Sequence, residues 1–238
     1  MRSGSRLARS LSTRGRELAA FARQAWLLRH DTGEPVIPEA AVSGDDVVVF
    51  LHGLFASAGV LRPLRRAVEE RAGAYTAALS YLPGPGVAEL ADRVRELLAK
   101  LPEAARVHLV GHSLGGIVAR FFVQEIGDPR VVQTISMASP FAGVPRARLF
   151  RFGGAMDLDE TSPLLRKIVL GSASAAHVPH LSIVAEGDAL VRSPVGHALP
   201  GGEVIVMEGL GHNTLLFDDA VATLVARRVR SKRPPPRT

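Results

Sequence analysis

The chain has 238 residues, with no cysteine, 29 lysines and arginines, and 23 aspartates and glutamates. The lack of cysteine excludes disulfide bonds and a thiolate nucleophile. Its length and its hydrophobic content of 47% suffice for one domain with a sizeable core. No proline-rich linker or change of composition divides the interior of the chain, so we predict a single folded domain over residues 45–228.

Basic residues concentrate at the two ends of the chain. Residues 1–30 contain seven arginines and one acid, Glu17, and residues 227–238 contain six basic residues and no acid. The isoelectric point of about 10.6 is therefore a property of the ends. Nucleic-acid binding needs basic groups on a folded face with stacking aromatics, or a known module. The sequence indicates neither, and we expect no nucleic-acid partner.

Residues 1–44 form a predicted basic extension that begins with a helix. Apolar residues recur there at helical spacing and would form one face of the helix, from which most of the arginines are absent. These apolar residues are Leu7, Leu11, Leu18, Phe21, Ala25 and Leu28. Such a helix is typical of proteins that bind an anionic membrane surface. Two alternatives are a helix that packs on the domain in place of missing strands, and a frayed arginine-rich tail.

The sequence does not indicate membrane insertion or standard secretion. No apolar run reaches the roughly 18 residues of a spanning helix, and the arginine-rich start lacks the apolar core of a signal peptide. We therefore expect a cytoplasmic protein, with peripheral membrane contact through the N-terminal helix as a further hypothesis.

From Asp45 onward, predicted strands and helices alternate. The predicted strands cover residues 47–52, 75–81, 107–110, 131–137, 181–185 and 203–207. The predicted helices cover residues 58–72, 87–101, 114–126 and 215–229. This order predicts an α/β fold with a mostly parallel sheet of about six strands flanked by helices. Residues 229–238 are predicted to form a basic, proline-rich tail.

One long segment, residues 140–178, interrupts the alternation. It is irregular in pattern and rich in apolar side chains, among them Phe141, Phe150 and Leu165. Such a segment is typical of a cap or lid that lines an apolar pocket. The alternative is a pair of helices packed on the core.

A Gly-x-Ser-x-Gly turn follows the strand at residues 107–110 and nominates Ser113 as a nucleophile. A serine on a sharp strand-to-helix turn has a strained backbone, and side chains two residues to either side would collide where strand and helix cross. Gly111 and Gly115 remove those side chains. The alternative is a glycine-rich turn with an idle serine.

Residues 46–225 resemble the α/β-hydrolase family, and within it the bacterial lipases and esterases whose turn is also Gly-His-Ser-x-Gly-Gly. The strand that ends in His52-Gly53 is similar to the start of the family's oxyanion loop. The resemblance implies that the backbone N–H groups of Leu54 and Leu114 stabilise the oxyanion. Too little chain precedes Asp45 for the family's usual first strands, which implies a trimmed sheet.

The family places an acid and a histidine after the serine, each on a loop that follows a later strand. Glu186-Gly187-Asp188 follows the predicted strand at 181–185, and His212 lies in a glycine-rich loop after the strand at 203–207. The resemblance implies that Asp188 is the acid and His212 the base. Glu186 and His197 are the rivals for these roles. His52 is expected to shape the oxyanion loop and His112 to fill the turn.

These residues predict a serine hydrolase of carboxylic esters that works through an acyl-enzyme. Stretches of the 140–178 segment resemble bacterial lipases and favour a lipid or acyl-chain ester. No cofactor is expected, and no metal-ligand spacing is present. The alternatives are an acyltransferase that uses the same triad, and a catalytically idle scaffold bound to a membrane or a partner.

Overall fold

The computed structural model describes residues 2–191 and 193–233, with side chains from residue 13 onward. Its centre is one sheet of six strands in the order β2-β1-β3-β4-β5-β6, and every neighbouring pair is parallel. The strands are β1 (Asp46–Leu51), β2 (Tyr75–Leu79), β3 (Arg106–His112), β4 (Val131–Met137), β5 (His180–Ala185) and β6 (Glu203–Met207). The predicted parallel sheet of about six strands is confirmed.

Seven α-helices accompany the strands in the described part of the chain. They are α1 (Arg2–Leu27), α2 (Arg62–Ala72), α3 (Val87–Leu98), α4 (Leu114–Glu125), α5 (Gly153–Asp157), α6 (Pro163–Leu170) and α7 (Asp219–Arg230). Helices α3 and α4 pack on one face of the sheet, and α2 and α7 pack on the other.

The central strands are buried on both faces because each face carries its own helical layer. In β1, Val47 and Val49 belong to the core under α3 and α4, whereas Val48 and Phe50 belong to the core under α2 and α7. Successive side chains of a strand point to opposite faces, so a strand covered on both sides is apolar at most positions rather than at every second one. The continuous run of β-branched residues that predicted β1 follows from this.

Several element boundaries differ from the prediction. Helix α2 begins at Arg62 rather than residue 58, with Pro63 in its first turn, where a missing N–H is tolerated. Helix α7 begins at Asp219 rather than residue 215, because the side chain of Asp218 accepts hydrogen bonds from the N–H groups of Ala220 and Val221 and caps the helix.

Residues 140–178 contain two helices where the sequence indicated an irregular stretch. Leu165 and Ile168 of α6 are buried in the core under α4. The Asp157 carboxylate at the end of α5 accepts a hydrogen bond from the Val87 N–H at the start of α3, at 2.6 Å. Burial raises the pKa of Asp157, although this bond opposes the shift. The segment is thus tied to the domain at both α3 and α4.

Helix α1 packs on the domain, but not through its apolar face. Ala20, Gln24 and Leu27 are buried against the domain, whereas Leu18 is 73% and Phe21 63% exposed. Of the two alternatives for this segment, the described side chains fit a helix packed on the domain, with Phe21 and Ala25 of its apolar face lining a cavity rather than the core. The side chains of Leu7 and Leu11 lie outside the described residues.

The connection from α1 to β1 covers one edge of the sheet. Val36 forms an antiparallel bridge with Ala78 of β2, with N–H to carbonyl distances of 2.8 and 3.0 Å. The carboxylate of Asp31 accepts hydrogen bonds from the Ser80 hydroxyl just beyond β2. An unpaired strand edge invites association with other chains, and this short pairing protects the middle of β2.

Candidate active site

Ser113 lies between β3 and α4 in a strained conformation, with φ of 52° and ψ of −118°. Such a conformation costs of order 1–3 kcal/mol and persists only where the surroundings impose it. Here the Ser113 N–H donates to the carbonyl of Met137 on the adjacent strand, at 2.8 Å. The strand, turn and helix predicted around Ser113 are all present, with β3 running two residues closer to the serine than predicted.

The two glycines of the turn occupy positions where no side chain fits. A Cβ on Gly111 would lie 2.2 Å from the carbonyl carbon of Gly115, and a Cβ on Gly115 would lie 2.2 Å from the carbonyl oxygen of Leu51. A third glycine, Gly116, is equally confined without having been predicted, since a Cβ there would lie 2.1 Å from the Ser139 hydroxyl oxygen. The spacing thus reflects close contact of β3 and α4 with each other and with their neighbours.

Asp188 and His212 are hydrogen-bonded to each other. The distance from His212 Nδ1 to Asp188 Oδ2 is 2.8 Å, and both side chains are almost completely buried. Asp188 Oδ1 accepts hydrogen bonds from the N–H groups of Leu190 and Val191. Burial alone would raise the pKa of Asp188, but the hydrogen bonds from His212 and these N–H groups outweigh it and lower the pKa. Asp188 is therefore held as a carboxylate.

The rival residues have other contacts. The carboxylate of Glu186 accepts a hydrogen bond from the Gly209 N–H at 3.0 Å. The carbonyl of His197 accepts a hydrogen bond from the Phe141 N–H. Neither Glu186 nor His197 lines the cavity that contains Ser113.

His52 and His112 are buried and uncharged. Burial lowers the pKa of His52 to about 4 and that of His112 to about 3. His52 Nδ1 donates to the Gly53 carbonyl, and its Nε2 accepts from the Tyr81 N–H. His52 therefore fixes the loop before Leu54, as expected.

His112 does more than fill the turn. Its Nε2 donates to the carbonyl oxygen of His212 at 3.0 Å, and the two rings lie edge to face with centroids 4.8 Å apart. The residue before the proposed nucleophile thus holds the backbone of the proposed base. Its position next to Ser113 was the only available sequence signal for this role.

The two predicted oxyanion residues flank Ser113. Leu114 is the first residue of α4, so no carbonyl of its own helix can accept from its N–H. Leu54 follows Gly53, and a Cβ on Gly53 would lie 3.1 Å from Ser113 Cβ. A side chain at Gly53 would therefore crowd Ser113, which shows how close this loop passes to the serine.

A cavity of about 330 Å³ lies over Ser113 and His212. Apolar side chains from three parts of the chain form most of its wall: Phe21 and Ala25 of α1 with Leu28 directly after it; Leu54 and Phe55; and Pro140, Val144, Pro145, Ala147, Phe150, Ala155 and Leu158 of the 140–178 segment. The predicted cap segment therefore lines the cavity. The contribution of α1 to the cavity wall was not predicted.

The part of the chain with described side chains contains no group of three or more His, Asp or Glu residues that could hold a metal ion. Among the described helices, none combines the length and the apolar character that a membrane crossing requires.

The parallel sheet, the strained serine after β3, and an acid and a histidine on loops after β5 and β6 together define an α/β-hydrolase fold. The chain belongs to the alpha/beta hydrolase family, whose sequence model matches residues 48–172. No curated protein matches the chain by sequence.

Solved structures share this fold. The mature lipase BlEst2 of Bacillus licheniformis is 15% identical with a TM-score of 0.64, covering 82% of this chain and 97% of its own. The hyperthermophilic esterase of Pyrobaculum calidifontis is 14% identical with a TM-score of 0.58, covering 92% of each chain. Lipase B of Aspergillus fumigatus is 17% identical with a TM-score of 0.68, covering 84% of this chain and 57% of its own. At such identities the likeness concerns the fold, and the reaction is argued from the site.

Proposed function

We propose that this protein hydrolyses carboxylic esters through Ser113, His212 and Asp188. The observation that carries the proposal is the hydrogen bond between Asp188 and His212, whose histidine lines the same cavity as the strained Ser113. The lipases and esterases among the structures with the same fold agree with this reaction class.

In the first half of the reaction, His212 Nε2 takes the proton of the Ser113 hydroxyl as its oxygen attacks the ester carbonyl carbon. The N–H groups of Leu54 and Leu114 stabilise the charge on the carbonyl oxygen. Asp188 keeps the proton on His212 Nδ1 and stabilises the imidazolium. The alcohol leaves with the proton from Nε2, and an acyl-enzyme remains. Water activated by His212 then releases the acid and restores Ser113.

The apolar wall of the cavity favours an ester with an aliphatic acyl chain. A fluorophosphonate probe tests the reaction class, since labelling of wild-type protein but not of Ser113→Ala is expected.

Nitrophenyl esters with two to sixteen acyl carbons test the substrate class. Each buried CH₂ contributes about 0.8 kcal/mol, so kcat/KM should rise about fourfold per carbon until the cavity is full. Adding an alcohol to the assay distinguishes hydrolysis from acyl transfer, because a transferase would form a new ester with the alcohol, whereas a hydrolase would release the free acid.

Filling the mouth of the cavity should shorten the preferred acyl chain. Ala25 is exposed on α1 and lines the cavity. We expect Ala25→Trp to shift the kcat/KM maximum to esters at least two carbons shorter, with acetyl ester hydrolysis within threefold of wild type. The matched control is Ala22→Trp, at an exposed position of the same helix away from the cavity. An unchanged chain-length profile in Ala25→Trp would show that acyl chains do not pass α1.

We further propose that the cavity mouth meets a lipid surface. Phe55, Phe150 and Leu190 line the cavity and are more than half exposed, as is Phe21 of α1. The ring centroids of Phe55 and Phe150 are 6.2 Å apart. Such an apolar rim beside an arginine-rich helix combines the features by which proteins bind anionic bilayers.

Two leucines next to the cavity-lining residues test this contact. Leu18 is 73% and Leu149 70% exposed. Burying a leucine contributes about 1.5–3 kcal/mol, so replacing both with aspartate should weaken co-sedimentation with phosphatidylglycerol vesicles at least tenfold. Leu170→Asp is the control, because Leu170 is 77% exposed and does not line the cavity. Equal binding by all three proteins would refute the lipid contact.

A further inference from the structure

We propose that Glu17 of α1 is a positioning residue that holds the His212 loop in its working geometry. The N-terminal helix is then a functional part of the active site rather than an appendage. This inference rests on the proposed function, because it assigns Glu17 a role in the reaction of Ser113 and His212.

The Glu17 carboxylate is bound to the two residues that directly follow His212. Its Oε1 accepts from the Asn213 backbone N–H at 2.7 Å and from the Asn213 side-chain amide at 2.8 Å. Its Oε2 accepts from the Thr214 N–H at 3.2 Å. A carboxylate forms stronger hydrogen bonds with N–H groups than a neutral acceptor does. One side chain of α1 thus holds three donors of the loop.

The residue before His212 leaves space for this carboxylate. A Cβ on Gly211 would lie 2.5 Å from Glu17 Oε2 and 3.0 Å from its carboxyl carbon. Any larger residue at this position would displace the carboxylate or the loop. His212 is therefore flanked on both sides by residues that contact Glu17, which is an observation independent of the hydrogen bonds.

Glu17 completes the support of the loop. His112 Nε2 holds the carbonyl of His212, and the Thr214 hydroxyl bridges the Gly211 N–H and carbonyl. These bonds fix the position of the His212 backbone relative to Ser113. A displacement of about 1 Å in such a group can cost of order a hundredfold in rate.

Other contacts of α1 offer matched controls. Arg16 donates to the carbonyl of Gly209 at 2.6 Å, and the guanidinium of Arg23 lies 4.6 Å from the centre of the Phe217 ring. Both contacts hold α1 on the same side of the domain without touching residues 211–214. A residue that merely attaches α1 should therefore behave like Arg16 and Arg23.

The test compares Glu17→Ala with Arg16→Ala and Arg23→Ala on nitrophenyl acetate, whose small acyl group minimises contact with the cavity wall. For Glu17→Ala we expect kcat at least tenfold lower, KM within twofold, and a matching loss in the rate of fluorophosphonate labelling. Both controls should stay within threefold of wild type. Glu17→Gln should recover part of the rate, because its amide oxygen still accepts from Asn213.

Gly211→Ala alone tests the same contact if Glu17→Ala folds poorly, and a normal kcat in Gly211→Ala would then overturn the inference; where both variants fold, a double-mutant cycle combines them. The added methyl group should lower kcat in the wild-type background and have a smaller effect in the Glu17→Ala background. A Glu17→Ala enzyme with kcat within twofold of wild type, or an equal loss in Arg16→Ala, would overturn the inference. Failure of the fluorophosphonate to label the wild-type protein would instead overturn the proposed function.

Discussion

Replacing Ser113 with alanine is expected to abolish ester hydrolysis without unfolding the protein. The substitution removes only the hydroxyl group, at a side chain that lines the cavity. Loss of the nucleophile should lower kcat on the order of 10⁴-fold or more, since the cavity and the oxyanion donors alone cannot form the acyl-enzyme. Esterase kinetics and thermal melting of the same preparation provide the measurement.

The backbone at Ser113 provides a control on folding. Alanine retains Cβ and therefore the strain at φ 52°, so its melting temperature should match that of the wild type. Glycine adopts this conformation freely, and Ser113→Gly should melt at the same or a higher temperature although glycine also increases the entropy of the unfolded chain. Turnover within tenfold of wild type in either variant, with a normal melting curve, would refute the nucleophile assignment.

Replacing Asp188 with asparagine is expected to lower kcat more than about a hundredfold. Asparagine can still accept from the N–H groups of Leu190 and Val191, so the loop should keep its shape. It cannot supply the negative charge that stabilises the His212 imidazolium, and its amide group favours the wrong tautomer. The pre-steady-state rate of acylation measures this defect directly.

Glu186→Gln is the matched control for the acid. Its carboxylate contacts the Gly209 N–H, and the glutamine amide oxygen can replace that contact. We expect a change of less than threefold. A severe loss of turnover in Glu186→Gln together with near-normal turnover in Asp188→Asn would assign the role of the acid to Glu186 instead of Asp188.

The sequence allowed prediction of those features that depend on neighbouring residues. The sheet followed from apolar runs such as Val47–Phe50, and the turn at Ser113 from glycines whose contacts lie within β3, α4 and the adjacent strand. Asp188 was predicted from its loop, and the structure brings it to His212. Its role in catalysis stays a prediction until it is tested.

Contacts across the chain could not be predicted in this way. Glu17 and Asn213 are 196 positions apart, and no local pattern links them. The single acid among seven arginines was a visible signal, but it did not indicate a partner. The periodicity of α1 predicted an apolar face, yet Glu17 and Gln24 lie on the face that packs on the domain. Periodicity shows which face is apolar and does not show which face is covered.

The contact between α1 and the histidine loop also bears on how the protein is made. A ribosome synthesises α1 about 200 residues before the loop that it holds, so the helix leaves the exit tunnel before the partners of Glu17 exist. Until residues 209–214 emerge, Arg16 and Glu17 lack the partners that they have in the folded domain. Docking of α1 and ordering of His212 then become one event near the end of synthesis. Nascent chains that stop short of this loop lack His212, the proposed base, so we expect no ester cleavage by unfinished copies.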